Sequence, residues 1–259
     1  MAAPLLDLDD VVRRLRPTRR TYVGVRAIEV ARIIGTESRI GDFDREFKPL
    51  RPALRDRLRR LASAFPTSEF APIVVQKVGA AYFVIDGHHR VAIARRRGME
   101  TIDAEVFELA ACWELSADAD LLELQHAEQE RLFMTESGLG NANPNARIRF
   151  THAVGYRQLL EVVQIHGYEL IQRAGRPLER ADIADDWYSH VFLPTLELIA
   201  DPRFDTPCAG RMPADAFLWL WQQRPALSVE HGPQQLSDVA RLAIHGRLQG
   251  RRRLWPRGR

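Results

Sequence analysis

The stretch AYFVIDGHHRVAIARRRG, Ala81 to Gly98, decides how the rest of the chain is read. Tyr82 to Ile85 is a short run of aromatic and β-branched residues, the pattern of a buried strand. Asp86-Gly87 breaks that run. From His88 onward the spacing turns helical, and Gly98 is placed to stop the helix. A strand, a glycine turn and a helix start aim unpaired backbone N–H groups, and the positive end of a helix dipole, at one spot. Such a spot suits an anion, and Arg90 in the first turn adds a fork for a bidentate phosphate contact. Gly87, His88, His89 and Arg90 are therefore read as a turn that holds phosphate groups, those of a nucleotide first among them. The same letters also spell an ordinary strand-to-helix connection with Asp86 as its N-cap. Against that stands the density of titrating and phosphate-binding side chains, an Asp, two His and an Arg in five positions.

Working outward, Ile73 to Val78 and Ala81 to Ile85 read as a hairpin about Gly79-Ala80. Thr101 to Phe107 alternates Ile102, Ala104 and Val106 with polar residues and reads as a further strand. Leu50 to Phe65 is an amphipathic helix with its stripe on Leu50, Leu54, Leu58, Leu61, Ala62 and Phe65, ended by Pro66. Tyr22 to Val30 is a strand with Val23, Val25, Ala27 and Ile28 turned inward, and residues 5 to 16 form a helix stopped near Pro17. Between them Arg32 to Pro49 reads as one long, polar, glycine-broken loop carrying Glu37, Arg39, Asp42 and Asp44. Loops of that length inside a domain are often functional.

IDGHHRVAIARRRG followed by TIDAEVFEL, with PIVV at Pro72 to Val75 before it, resembles the phosphate-binding segment of the ParB/sulfiredoxin superfamily. There a strand leads through a Gly-x-x-Arg turn to a helix, a glycine and another strand. Sulfiredoxins carry Gly-Cys-His-Arg; His88 stands here in place of the catalytic cysteine, which argues against sulfinic-acid reduction. ParB partition proteins carry Gly-Glu-Arg-Arg, of which this chain keeps the first Gly and the last Arg. The Asp-Gly-His-x-Arg wording of the free-serine kinases is closest. The resemblance spans roughly residues 20 to 135. It implies a nucleoside di- or triphosphate as ligand, with Mg²⁺ riding on the phosphates and Asp86 helping to hold it. It also implies a glutamate after the first strand as the base that activates a substrate hydroxyl. Glu37 matches that position best and Glu29 second, and a carboxylate in reach of an alcohol can take its proton during phosphoryl transfer. Glu37 could equally pair with Arg39 on the surface. Glu128, Gln129 and Arg131, on a helix read over Ser116 to Met134, stand where ParB proteins place a second nucleotide-contacting element.

Gly138 to Asn145, GLGNANPN, reads as a linker, after which the texture is all helical: roughly 150 to 173, 179 to 200, 213 to 223 and 234 to 249. Pro194 should kink the second of these, and the aromatics Trp187, Phe217, Trp219 and Trp221 read as core. The fold class is thus α+β: a small ParB/sulfiredoxin-like mixed domain over 1–137, a helical accessory domain over 146–250 and a basic tail over 251–259. The phrases ADDWYSHVFLPTLELI and GRMPADAFLWL also resemble an uncharacterised bacterial family with ParB-like N-termini.

Composition narrows the classes. A chain of 259 residues, 46% hydrophobic and 27% charged, can bury a real core. No apolar run reaches the roughly 20 residues of a membrane span. The acidic MAAPLLDLDD start does not read as an export signal. Two cysteines in unrelated contexts, Cys112 and Cys208, suit a reducing, cytoplasmic setting. There is no His-Glu-x-x-His, Cys-x-x-Cys, Walker lysine loop, Gly-x-Gly-x-x-Gly or Gly-x-Ser-x-Gly. The net charge of +3 is small, yet Arg247 to Arg259 holds six arginines and no acid, which reads either as a segment that contacts DNA or another anionic partner or as a solvated terminus.

Three functions follow. One is phosphotransfer to a small hydroxyl substrate, or nucleotide hydrolysis, with Glu37 as base, His88 or His89 polarising the phosphate and Gly87 and Arg90 positioning it. Another is a ParB-like nucleotide-gated DNA-binding protein. The third is an interaction protein that keeps only the fold. Glu179, Asp182, Asp185, Asp186 and Glu197 make the helix over 179–200 an unfriendly face for DNA phosphates.

Overall fold

The N-terminal part of the chain is organised by a six-stranded mixed sheet. In the computed structural model, which describes residues 4–64, 71–111, 115–204, 211–231 and 235–244, the strands are β1 (Leu6–Asp7), β2 (Arg19–Glu29), β3 (Ile33–Thr36), β4 (Ile73–Val78), β5 (Ala81–Asp86) and β6 (Thr101–Ala110). Their order is β1-β3-β5-β4-β6-β2. The pairs β1/β3, β3/β5 and β4/β6 are parallel; β4/β5 and β2/β6 are antiparallel. The helices of this part are α1 (Leu8–Leu15), α2 (Pro52–Ala64) and α3 (His88–Arg96).

The Gly79-Ala80 hairpin forms as its residues dictate, Val78 pairing with Ala81. α1 starts where the Asp7 carboxylate accepts from Asp9 N at 3.1 Å and ends at Arg16, whose φ of 47° is left-handed, just before Pro17. Leu5, Leu8, Val11 and Leu15 are buried beneath it, while Val12 is exposed. The sheet packs through Ile73, Val75, Val84 and Val106 against Val91, Ala92, Ile93 and Ala94 of α3. Each of the larger of these side chains contributes about 1.5–3 kcal/mol by leaving water.

Three expectations change. Arg32–Pro49 is not one loop, because Ile33–Thr36 is a fully buried strand between β1 and β5. Four residues buried on both faces show no alternation, so the period-2 signal has nothing to act on. Gly35 has a structural reason to be glycine: a Cβ there would lie 2.2 Å from Phe83 Cδ1 and 2.6 Å from the Leu6 carbonyl oxygen. β2 pairs with β6 alone, so Val25 and Ala27 are exposed and Ile28 is the one fully buried residue of its strand. Leu50 lies outside α2 and is exposed, whereas Leu58 carries the buried stripe; Phe65 lies outside the described residues.

The chain divides into two compact units, Met1–Glu128 and Gln129–Arg259. The division falls within α4 (Leu121–Ser137). Among the described residues the elements of the second unit are all helical: α5 (Leu139–Ala142), α6 (Val154–Ala174), α7 (Arg180–Trp187), a π turn (Tyr188–Phe192), α8 (Leu193–Ile199), α9 (Pro213–His231) and α10 (Leu236–Ile244). Its centre is aromatic. Trp187 is wholly buried, with Phe192 at 5.0 Å and Phe217 edge-on at 6.0 Å between ring centroids. Gly138–Asn145 holds the turn α5 with Leu139 buried, not an open linker. Ahead of Pro194, at the start of α8, the helix widens into the π turn, the kind of irregularity at which helices kink.

Candidate functional site

β3 and β5 are parallel neighbours, so both run out at the same edge of the sheet, and the residues after Thr36 meet those after Asp86. Glu37 N donates to Val84 O at 3.0 Å, which fixes that meeting. The edge beyond the carboxyl ends of parallel strands is where open α/β sheets take ligands.

Gly87 is the N-cap of α3 with φ +99°, and no side chain caps the helix. The N-cap role expected of Asp86 therefore does not arise. A Cβ at Gly87 would lie 2.5 Å from Ile73 Cγ2, so both backbone angle and space require glycine. Asp86 is exposed and takes Arg90 Nη2 at 2.6 Å. The other terminal nitrogen of Arg90 donates to the Pro72 carbonyl at 2.7 Å and to the Ala71 carbonyl. Arg90, expected to hold phosphate, instead ties the start of α3 to the approach of β4.

His88 departs furthest from its expected role. It is 4% exposed, and its Nε2 lies 2.7 Å from Thr36 Oγ1. That hydroxyl also accepts from Ser38 N at 3.3 Å and Arg39 N at 3.2 Å. With both lone pairs engaged, the hydroxyl proton points to Nε2, which assigns the ring proton to Nδ1. Burial first, and then the Arg39 charge, push the His88 pKa down from 6.5 to about 4. The ring is neutral near pH 7, its Nε2 is taken, and it stacks on Phe43 at 6.2 Å. It organises the turn and carries no charge toward a phosphate near pH 7. His89 meets the same Phe43 edge-on at 5.9 Å. Burial, then the charges of Arg57 and Arg39, lower its pKa, and its Nε2 is buried without a hydrogen-bond partner.

Glu37 is exposed at the end of β3. The Glu37–Arg39 pair is replaced by Arg39 with Asp42 at 3.6 Å, and Asp42 also meets Arg51 at 3.6 Å. The fold thus brings Glu37, Arg39, Asp86, Gly87, His88, His89 and Arg90 to one edge. Arg131 lies on α4 beyond Glu128 and belongs to the second unit; Glu128 is engaged by Arg14. Among the described residues no group of three or more His, Cys, Asp or Glu is arranged to hold a metal ion. None of their helices is long and apolar enough to cross a membrane. Cys112, Cys208 and the basic tail lie outside the described residues.

Sequence reasoning missed Thr36 and Phe43, which hold the histidines, and Arg95. Arg95 donates to the carbonyls of Ile33 at 2.7 Å, Arg45 at 3.0 Å and Val30 at 3.3 Å, with its guanidinium 5.4 Å above the Phe47 ring. No local signal marks it among the three arginines of Arg95 to Arg97.

Residues 25–119 match the family model of the ParB N-terminal domain. The first unit therefore carries a ParB-like superfamily domain. No curated protein matches the chain. Among solved structures, a pNOB8-like ParB N-domain is 13% identical, pairing 82% of this chain with 84% of that one at a TM-score of 0.22. The C-terminally truncated chromosome-partitioning protein ParB from Caulobacter crescentus, complexed to the centromeric parS site, is 17% identical, pairing 85% with 99%, also at 0.22. At those scores the two likenesses add nothing to the family match.

Proposed function

We propose that the chain is a ParB-like DNA-associated protein whose N-terminal domain receives a nucleoside di- or triphosphate at the Gly87–Arg90 turn, Mg²⁺ accompanying the phosphates. The observation that carries the proposal is the family match over residues 25–119, which spans the turn and both strands that frame it. The geometry supports it through the left-handed Gly87 at the mouth of α3, whose first N–H groups have no partner within the helix. Arg39, half-exposed beside them, supplies a cation. Asp86 is exposed enough to meet Mg²⁺, in exchange for its contact with Arg90. The basic segment Arg247 to Arg259 is a DNA-facing element in sequence terms.

The exposed carboxylate of Glu37 at the same edge favours a second reading, phosphoryl transfer to a small hydroxyl substrate. His88 counts against it, because a buried imidazole that is hydrogen-bonded to Thr36 and neutral near pH 7 offers a transferring phosphate no positive charge.

One experiment separates the two. Duplex DNA affinity is measured with and without each nucleoside triphosphate plus Mg²⁺, while product formation is followed with serine or water as acceptor. The proposal expects a nucleotide-dependent change of about tenfold or more in DNA affinity, a coupling of at least about 1.4 kcal/mol, without stoichiometric turnover. Multiple turnovers that stop in Glu37→Gln would establish the phosphotransferase instead. A chain that binds neither nucleotide nor DNA overturns both.

A further inference from the structure

We infer that the first unit holds a second anion site, at the opposite end of α3 from the Gly87 turn, built for a small phosphorylated molecule. A cavity of about 530 Å³ opens there, between the segment Glu46–Pro49, α2 and the last turn of α3. That volume lies in the range of small-molecule sites, roughly 300–1,000 Å³. Its walls carry Lys48, Arg55, Arg59, Arg95 and Arg96 against a single carboxylate, Glu46. Glu46 is already engaged by Arg95 at 3.4 Å. The C-terminal end of a helix carries about half a negative charge, and the cations lining the cavity outweigh it several-fold.

The walls also divide by chemistry. Phe47, Leu58 and Ala92 are buried and form an apolar floor, while Lys48, Arg55, Arg59 and Arg96 are exposed at the rim. A ligand with an apolar or planar body and two or more charged oxygens satisfies both halves. Guanidinium forks favour phosphate oxygens for bidentate contact. Duplex DNA presents its phosphates along a ridge that a recess of this size does not admit beyond its rim, so a small molecule is the better occupant. Arg95 makes the floor rigid, because its carbonyl contacts at Val30, Ile33 and Arg45 lock the end of α3 to the start of β3. α3 spans nine residues, a length of about 13 Å at 1.5 Å per residue, so the two ends can be tested separately. The inference stands independently of what binds at Gly87.

The test is calorimetric titration of the full chain with inorganic pyrophosphate in the absence of Mg²⁺. The exposed double variant R55E/R96E is compared with R26E, a charge reversal on the exposed edge strand β2, and circular dichroism checks that each stays folded. Loss of two charge-assisted contacts predicts pyrophosphate affinity weaker by about a hundredfold in R55E/R96E, and within about twofold of the parent in R26E. A short DNA duplex that competes for the same heat with equal affinity would assign the cations to nucleic acid and overturn the inference. So would parental affinity in R55E/R96E, or no binding to the parent at millimolar pyrophosphate. If the double variant unfolds, the milder R96Q supplies the same comparison, a several-fold loss being expected and parental affinity overturning the inference.

Discussion

His88 and Thr36 are the residues on which the turn depends. They lie 52 positions apart and meet at 2.7 Å inside the fold. Removing the hydroxyl in Thr36→Val leaves the imidazole and two backbone N–H groups without their acceptor or donor, a loss of about 2–3 kcal/mol in denaturant unfolding. The histidine also sets a pH dependence. Its folded pKa is depressed to about 4 from 6.5, so the unfolded chain binds the proton more tightly. The stabilising contribution is complete above pH 6.5 and is lost as pH falls toward 4. The shift amounts to roughly 3 kcal/mol over that window. Unfolding midpoints of the parent and of His88→Asn, compared from about pH 7 to pH 4, should converge as the pH falls; parallel curves would contradict the assignment. The His-His pair was visible in the sequence, but its role was not. An imidazole at a helix start reads alike whether it faces solvent or a buried hydroxyl, and Thr36 sits in a strand too short and too buried to show alternation.

At the scale of elements, α3 acts as a strut pinned at both ends, by Arg90 to the carbonyls of Ala71 and Pro72 and by Arg95 to those of Val30, Ile33 and Arg45. The strand–turn–helix unit was legible because aromatic and β-branched residues, Asp-Gly and a terminal glycine all agree on one local structure. What its arginines do was not legible, since their acceptors are carbonyls of distant segments. The two glycines that bound α3 make a matched test. Gly87→Ala forces a left-handed alanine against Ile73, at a cost of about 3 kcal/mol. Gly98, at φ +66° with open space around it, should cost only about 1 kcal/mol as alanine. Equal losses in chemical denaturation would show that the Ile73 contact carries no weight. Amide exchange offers a second check at this scale. β5 is flanked by β3 and β4, whereas β2 pairs with β6 alone and exposes most of its residues. Protection should therefore be greatest in β4 and β5 and least in β2, near the Gly24 bulge.

For the whole molecule the proposed DNA association raises the question of which surface would meet DNA. In the second unit Glu179, Asp182 and Asp185 of the α7 region are exposed, and Asp186 lies between His166 at 2.7 Å and His190 at 3.2 Å. That face repels a phosphate backbone. The segment Arg247 to Arg259, with six arginines and no acid, attracts one. Counterion release turns this contrast into a number, because the slope of log affinity against log salt is about −0.9 for each phosphate neutralised on duplex DNA. Six arginines, each neutralising one phosphate, would supply a slope of about −5. Truncation after Gly246 should then flatten the salt dependence by about five units between roughly 50 and 200 mM salt, as read by fluorescence anisotropy with a labelled duplex. A truncated chain that keeps the parental slope would move the contact surface to the described helices and strands, and the exposed cations at the edge of α2 and α3 would be the next place to substitute.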